Sequence, residues 1–396
     1  MSTTTFERVG EPNDIIERAR KIAREVAAPA AADVDKNARF PKEAFDAQRK
    51  ERLLGAFIPK ELGGLGCGMV TLAGICEAMG SACGASGLIT AMHHIQVACL
   101  VRHGADSPAI GAYLAEVAEK QRLIASVTSE VGIGGDMRSS ITAIVRNGAE
   151  FSLDKDATTI SYGAHADDLL VTSRRDKDAP PSDQVLTLVR GGDYKLEKTS
   201  EWDTLGMRGT CSPGFKLTAR GSVDQILTLP VGDIASRTMV PISHILWSAA
   251  WLGIATDAVS RARLYVRGEA RKKPGTVPPT ALRVAEVMNQ LQLMRNNVHD
   301  AASECERLMR EADGATNELL SIGFAIKINN LKLASSQLVA QIVQQCMLIV
   351  GIQGYKNDSK FSMGRHLRDA HSAALMIGND RIYATNASLL LVHKDD

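Results

Sequence analysis

The hydrophobic positions change their spacing twice along the 396-residue chain. From residue 13 to about 120 the apolar residues recur three and four positions apart, which predicts amphipathic helices. From 123 to about 230 this period fades, and short apolar runs such as Gln184-Val-Leu-Thr-Leu-Val stand between Gly, Asp, Pro and Asn. Such runs are typical of strands in an antiparallel sheet. After residue 236 the helical spacing returns.

The last third of the chain predicts four helices, at about 241–272, 278–312, 315–350 and 364–392. The stretch rich in Pro and Gly that starts at Lys272 separates the first two, and Gly351 is placed to end the third. The predicted fold class is therefore α+β. It comprises a helical domain at 1–122, a β domain at 123–235 and a helical bundle at 236–396.

Composition and charge argue against several classes of function. Lys and Arg total 46 against 45 for Asp and Glu, without blocks of like charge, so there is no electrostatic case for nucleic-acid binding. We expect no apolar run long enough to span a membrane, and no signal peptide at the N-terminus. The seven cysteines lack metal-ligand spacing, which indicates reduced thiols, a cytoplasmic protein and no metal site.

Five segments, in order along nearly the whole chain, resemble the signature segments of acyl-CoA dehydrogenases. Each segment alone is weak evidence, whereas their shared order on a helix–sheet–helix layout is strong evidence. The resemblance implies FAD as cofactor, a homotetramer, and the family fold of an N-terminal helical domain, a middle antiparallel β domain and a C-terminal four-helix bundle. The segments are Ile58-Pro-Lys-Glu-Leu-Gly-Gly-Leu-Gly, Ala125-Ser-Val-Thr-Ser-Glu-Val-Gly-Ile-Gly-Gly-Asp, Thr158-Thr-Ile-Ser-Tyr-Gly-Ala-His-Ala-Asp, Trp202-Asp-Thr-Leu-Gly-Met-Arg-Gly-Thr, and Val350-Gly-Ile-Gln-Gly-Tyr followed by Arg365-His-Leu-Arg-Asp-Ala.

The resemblance also implies which residues contact the flavin. Thr128 and Ser161 stand where the family contacts the isoalloxazine ring, although both also fit ordinary sheet hydroxyls. Strand alternation would point Ile160 and Tyr162 away from Ser161. The turn at Gly351 is expected to approach a neighbouring subunit's cofactor, because glycine has no Cβ. The implied cofactor-binding residues are Thr128, Ile160, Ser161, Gly351, Ile352, Gly354, Asn379 and Arg381, and the implied substrate-binding residues are Gly135 and Ile377.

The usual catalytic glutamate of the family is missing. In the family, a glutamate eight residues after the aspartate of the Arg-Asp-Ala segment removes the substrate's α-proton, and its backbone N–H polarises the thioester carbonyl. Here that position is Ile377, which keeps the N–H but has no group that accepts a proton. The family's other base position, here Val240-Pro-Ile-Ser-His-Ile-Leu-Trp, also lacks an acid. The remaining candidate bases are His94, Glu130 and Asp380.

Two pairs of adjacent residues have a structural as well as a functional interpretation. His93 and His94 follow each other on a predicted helix that corresponds to an active-site helix of the family, so at most one of them faces the pocket. Both also fit buried structural histidines. Arg368 and Asp369 belong to a family signature, and we interpret them as a structural ion pair on a helix.

Three functions remain open at this point. The favoured one is FAD-dependent CH–CH oxidation of an acyl thioester, on coenzyme A or an acyl-carrier protein, with a relocated base and an electron-accepting flavoprotein as partner. The second is a two-component flavin monooxygenase of the same fold, which takes reduced flavin from a reductase and needs no α-proton base. The third is a non-catalytic flavoprotein that binds thioesters. The tail from Arg365 to Val392 favours the first. Arg208-Gly-Thr-Cys-Ser favours the second, whereas Ala373-Ala-Leu-Met-Ile lacks the histidine that many such monooxygenases carry in this tail.

Overall fold

The structure, a computed structural model, describes residues 12–105, 107–311 and 318–394. Helices form the first third of the described chain, as the apolar spacing predicted. The fourth and fifth helices are almost wholly buried, which matches their runs of Ala, Leu, Ile and Gly. The helices are α1 (Pro12–Ile22), α2 (Ala28–Lys36), α3 (Lys42–Lys50), α4 (Met69–Ala82), α5 (Gly84–Gly104) and α6 (Pro108–Lys120).

The β domain follows with β1 (Ile124–Val127), β2 (Val145–Asn147), β3 (Glu150–Ala157), β4 (Asp168–Arg174), β5 (Gln184–Val189), β6 (Tyr194–Lys198) and β7 (Phe215–Ser222). One sheet has the order β1–β4–β5, and the other is antiparallel with the order β2–β3–β7–β6. β5 is buried along its whole length, which explains its continuous apolar sequence. β3 alternates exposed and buried residues because one of its faces meets solvent.

Two details of the β domain differ from the sequence predictions. β1 pairs parallel with β4 rather than antiparallel. The segment 158–167, expected to be a strand, contains a turn and the 3-10 helix Gly163–His165. Tyr162 has a φ of 44°, which ends the extended backbone that strand alternation requires. Ile160 and Tyr162 are nevertheless fully buried, whereas Ser161 is half-buried.

The C-terminal domain consists of α7 (Val231–Ile234), α8 (Val240–Lys272), α9 (Thr280–Glu311), α10 (Ile322–Val350), α11 (Ile352–Tyr355), α12 (Gly364–His371) and α13 (Asn379–Leu390). α8 lies at the centre and packs against α4, α5, α9 and α10. The single helix predicted for 364–392 is wrong, because residues 372–378 break it and Ile377 takes a left-handed φ of 51°. The predicted helix start at 315 lies outside the described residues, and α10 begins after Ser321.

Among the residues that the structure describes, three helical segments are long and apolar enough to cross a membrane, judged by length and composition alone, so the expectation that none has that length is wrong. They are Gly84–Gly104, Val231–Lys272 and Ile322–Val350. The apolar windows of the first two are 89% and 94% buried inside the molecule, so their hydrophobic side chains form the core. The window of the third is 50% buried, which leaves one side of α10 exposed on the single chain.

Candidate functional site

Two adjacent loops of the β domain carry the hydroxyls predicted to contact flavin. Thr128 follows β1, and Ser161 lies in the turn after β3. Ser129 joins the two loops, since its hydroxyl donates to the Thr159 carbonyl (2.6 Å) and accepts from the Thr159 N–H (3.1 Å). Thr128 and Ser161 are both half-buried. The structure therefore brings these two loops together, as a shared ligand requires.

Ser161 is the outer member of a chain of three hydroxyls. Ser212 Oγ donates to Ser161 Oγ (2.9 Å) and lies 2.8 Å from Thr210 Oγ1. Thr210 and Ser212 are each only 2% exposed. Because Ser161 accepts from Ser212, its own hydroxyl hydrogen is free to donate outward, which suits a flavin ring. Sequence reasoning missed Thr210 and Ser212 as site residues, although the segment starting at Arg208 contains both.

Glu130, one candidate base, is enclosed by donors within the β domain. Its carboxylate accepts from the Ser140 hydroxyl (2.7 Å), the Ile141 N–H (3.1 Å) and the Thr142 N–H (2.6 Å), and lies 3.6 Å from Lys155 Nζ. Burial raises the pKa of Glu130, but the Lys155 charge and these hydrogen bonds outweigh burial and lower it. This geometry makes Glu130 a structural anion and argues against its role as the relocated base.

His93 and His94 are both fully buried on α5. The His93 ring bridges two elements, with Nε2 2.8 Å from the Leu54 carbonyl and Nδ1 accepting from the Ile124 N–H (3.1 Å). Neither ring nitrogen of His94 has a hydrogen-bond partner within the described residues. Burial holds the pKa of His94 well below its usual range, so its imidazole stays neutral. A group with so low a pKa is a weak proton acceptor near neutral pH.

The loop between α12 and α13 contains the position of the missing glutamate. The Ile377 carbonyl accepts from Lys332 Nζ on α10 (2.8 Å). The same Nζ donates to Asn379 Oδ1 (2.6 Å), and the Asn379 amide donates to Ser336 Oγ (3.1 Å). The Ile377 side chain is half-buried against the bundle core. The side chain of Asn379, expected to bind the cofactor, is therefore held by α10.

Lys332 is a fully buried cation in the helical bundle. No carboxylate lies within ion-pair distance of its ammonium among the residues that the structure describes. Its Nζ lies 5.9 Å from the centroid of the Trp251 ring. Desolvation lowers the pKa of Lys332 to about 8. Sequence reasoning missed this residue. It could have been noticed as a lysine on the same helical face as the apolar residues Ile328 and Val339.

One face of α8 carries buried polar atoms that lack partners. His244, Trp247, Ser248 and Trp251 are spaced three and four residues apart, so they lie along one side of the helix. In the described part of the chain, one polar atom of each has no hydrogen-bond partner: His244 Nδ1, Trp247 Nε1, Ser248 Oγ and Trp251 Nε1. Buried polar groups are rarely left unpaired, so the row points to a ligand or to ordered water. Through Trp251 the row adjoins Lys332 and the Ile377 loop.

Arg381 connects the bundle to the glycine-rich loop of the β domain. Its guanidinium donates to the carbonyls of Gly134 and Gly135. The structure therefore brings together Gly135, expected to bind substrate, and Arg381, expected to bind cofactor. Asp380, a further candidate base, is exposed beside Arg381 at the start of α13.

The glycine turn after α10 lies at the surface of the single chain. Gly351 has a φ of 66°, and an added Cβ would meet no atom within 4 Å. Ile352 is 67% exposed, whereas Gly354 is buried. This exposure leaves room for a second subunit, and the expected contact with a neighbour's cofactor stays a prediction.

Arg368 and Asp369 do not pair with each other, which corrects the ion pair expected from the sequence. Adjacent helical residues point about 100° apart, so they reach different partners. Arg368 pairs with Asp35. Asp369 accepts from the Met207 N–H (2.7 Å), and burial raises the pKa of its carboxyl to about 6. Both residues attach α12 to other parts of the chain rather than to each other.

Within the described residues, no group of three or more His, Cys, Asp or Glu side chains is placed to hold a metal ion. All seven cysteines are unpaired, and all except Cys211 are buried. Burial raises the pKa of thiols such as Cys305, to about 12, so these cysteines behave as small core residues.

Comparison with known proteins identifies the family. Residues 11–121 match the family model "Acyl-CoA dehydrogenase, N-terminal domain", and residues 235–387 match "Acyl-CoA dehydrogenase, C-terminal domain". The chain belongs to the acyl-CoA dehydrogenase family. The cofactor of this family is a flavin, typically FAD. The family fold of helical outer domains around a β domain, predicted from the sequence, is thereby confirmed.

Relatives of this family member have different activities. The chain is 25% identical to the amino sugar nitrososynthase DnmZ of Streptomyces peucetius, covering 87% of this chain and 84% of that protein. It is 24% identical to cyclohex-1-ene-1-carbonyl-CoA dehydrogenase of Syntrophus aciditrophicus (strain SB), covering 98% and 92%. FMN-bound TdsC of Paenibacillus sp. A11-2 shares the fold with a TM-score of 0.85 and 20% identity, covering 97% of this chain and 98% of TdsC. Butyryl-CoA dehydrogenase of Megasphaera elsdenii shares it with a TM-score of 0.81 and 19% identity, covering 98% and 100%.

Proposed function

We propose that this protein is a flavin-dependent monooxygenase rather than a dehydrogenase. The observation that carries the proposal is the absence of an acid where the family places its base. Ile377 occupies that position, and the polar side chains that hold its loop are Lys332, Ser336 and Asn379. None of these three side chains carries a carboxylate. A reaction that begins with α-proton removal therefore lacks its usual acceptor here.

The surroundings of Glu130 and His94, two of the candidate bases from the sequence, also argue against base catalysis by either residue. Glu130 is held by hydrogen bonds and by Lys155, which commits its carboxylate to the β domain. His94 is buried, with its pKa held well below the ordinary value. The sequence favoured thioester dehydrogenation, and these two environments shift the balance toward a reaction that needs no α-proton base.

The residues present fit the demands of an oxygenase site. A bound flavin in reduced form supplies two electrons to O2, so that one oxygen atom enters the substrate and the other leaves as water. The Ser161 hydroxyl, fixed by Ser212, can donate to the ring or to an oxygen atom beside it. Ile377 is half-buried against the bundle core, so the position of the family's base carries an apolar side chain here.

Thioester dehydrogenation is the second candidate, and a specific observation favours it. The lowered pKa of Lys332, about 8, gives its amine a neutral fraction near physiological pH, and buried lysines with such values act as general bases in other proteins. The substrate would be an acyl group on coenzyme A or an acyl-carrier protein, and a flavoprotein would accept the electrons. The relative from Syntrophus aciditrophicus, a dehydrogenase, supports this candidate.

One pair of experiments separates the two functions. The purified flavin-loaded protein is mixed anaerobically with butyryl-CoA and octanoyl-CoA, and the flavin absorbance is followed. In a second arm, NADH and a flavin reductase are supplied with O2, and oxygen uptake is recorded. We expect unbleached flavin in the first arm and reductase-dependent oxygen uptake in the second. Prompt bleaching by either acyl-CoA would refute the oxygenase assignment and establish the dehydrogenase.

A further inference from the structure

Lys332 is placed unusually for a lysine. Its side chain is fully buried, and no ion pair compensates its charge among the described residues. A buried, unpaired cation is unfavourable, and this cost is visible in the lowered pKa of its amine. Two hydrogen bonds occupy its ammonium, one to the Ile377 carbonyl (2.8 Å) and one to Asn379 Oδ1 (2.6 Å). The two acceptors lie two residues apart, at the end of the loop and at the first residue of α13, so the cation acts on this one segment.

The loop that Lys332 holds is conformationally strained. Ile377 has a left-handed backbone, with a φ of 51°, which crowds a β-branched side chain. Such a conformation persists only where its surroundings fix it. Lys332 donates hydrogen bonds to the residues on both sides of Gly378, which are Ile377 and Asn379. Ser336, one turn further along α10, holds the amide of Asn379.

We propose that Lys332 is a positioning residue of the active site, which fixes the strained 377–379 segment so that the Ile377 side chain and its N–H face the substrate. The proposal rests on the proposed function only in taking this loop as part of the flavin site. The Ile377 N–H has no acceptor within the described chain, which leaves it available to a ligand. A charged donor anchors the loop more firmly than a neutral one, because hydrogen bonds from an ammonium are about twice as strong.

The test uses Lys332→Met in the flavin-loaded protein. Met has a similar length and no donor, and it removes the desolvation cost of a buried charge that no carboxylate compensates. We therefore expect an unchanged or higher melting temperature. At the same time, amide hydrogen exchange in residues 372–379 should accelerate at least tenfold. A purely structural lysine would give the opposite pattern, with lower stability and faster exchange throughout the molecule.

Lys327→Met is the matched control, since Lys327 lies on the same helix but pairs with Asp300 and Glu304 at the surface. It should leave exchange in 372–379 unchanged. Asn379→Ala removes one of the two acceptors of Lys332 Nζ. This variant replaces Lys332→Met in the test if Lys332→Met does not fold. It should accelerate exchange in 372–379 several-fold.

The proposal is overturned by either of two results. One is unchanged exchange in 372–379 in Lys332→Met or, where that variant does not fold, in Asn379→Ala. The other is faster exchange across the whole bundle together with a lower melting temperature. Exchange and melting are measured without substrate, so an error in the assigned reaction would appear only in the acyl-CoA and oxygen-uptake assays. The two proposals can therefore fail separately.

Discussion

Ile377 combines an apolar side chain with a left-handed backbone at the position where the family carries its base. The change Ile377→Glu removes β-branching from a φ of 51°, which relieves strain, and adds a carboxylate in a half-buried site. Partial desolvation raises the pKa of such a group, which suits it to general-base catalysis near neutral pH. We expect the variant to gain, or increase at least tenfold, anaerobic flavin reduction by butyryl-CoA, measured as loss of flavin absorbance.

Ile377→Gln is the matched control for that prediction. It has nearly the same shape and polarity as the glutamate variant but cannot accept a proton at neutral pH. Equal bleaching in both variants would show that a change of shape, rather than a base, produced the activity. No bleaching in either variant, with flavin fully bound, would mean that a thioester does not reach this loop.

Counting along the family signature located Ile377 without a structure, because the spacing from Asp369 is a property of the sequence. Lys332 could not be found in that way, since its importance comes from burial and from two acceptors more than forty residues away. Glu130 shows the reverse case. Its type and place in a motif suggested a base, and only the surrounding donors show that its carboxylate is already bound.

At the scale of elements, the central helix α8 depends on a glycine contact with α4. A Cβ added to Gly253 would lie 2.2 Å from the Glu77 carbonyl oxygen and 2.6 Å from the Ser81 nitrogen, both of them backbone atoms of α4. Gly253→Ala should therefore force the helices apart and lower the free energy of unfolding by about 2–3 kcal/mol, as overpacking typically does. Urea unfolding of the flavin-loaded protein measures this change.

Gly268→Ala is the control on the same helix, because an added Cβ there meets nothing within 4 Å. Alanine is the better helix former by about 1 kcal/mol, so this variant should be slightly more stable than the wild type. Destabilisation by both changes would indicate that α8 tolerates no alanine in place of glycine, and the close-contact explanation would then fail.

The sequence predicted elements correctly where the apolar residues followed a single helical or strand spacing. The apolar run that became β5 was predicted, because a buried strand has a continuous apolar sequence. The break at 372–378 was missed, because its apolar residues continue the helical spacing of α12. The carbonyl of Ile377 leaves the helical pattern to meet Lys332, and that tertiary contact has no signal in local periodicity.

At the scale of the whole molecule, the surface around the Gly351 turn is apolar and uncovered. Leu348, Ile352 and Tyr355 are 57%, 67% and 73% exposed on the single chain. Exposed apolar side chains of this kind are typical of a protein interface, and closed symmetric assembly is the commonest way to cover them. We propose a homotetramer, with a mass of four times 42.5 kDa, or about 170 kDa.

Ile352→Glu tests the assembly, because it places a charge in the centre of this apolar surface. Burying an unpaired carboxylate costs several kcal/mol, so we expect light scattering to show dimers or monomers at concentrations where the wild type is a tetramer. Val277→Glu is the control, since Val277 is 79% exposed in the loop between α8 and α9 and is remote in sequence from the Gly351 turn. Flavin content is measured on the same samples. If the Gly351 turn meets a neighbour's cofactor, Ile352→Glu should lose flavin as it loses assembly, whereas Val277→Glu should keep both. A wild-type monomer with full flavin occupancy would contradict the interface and the cofactor contact together.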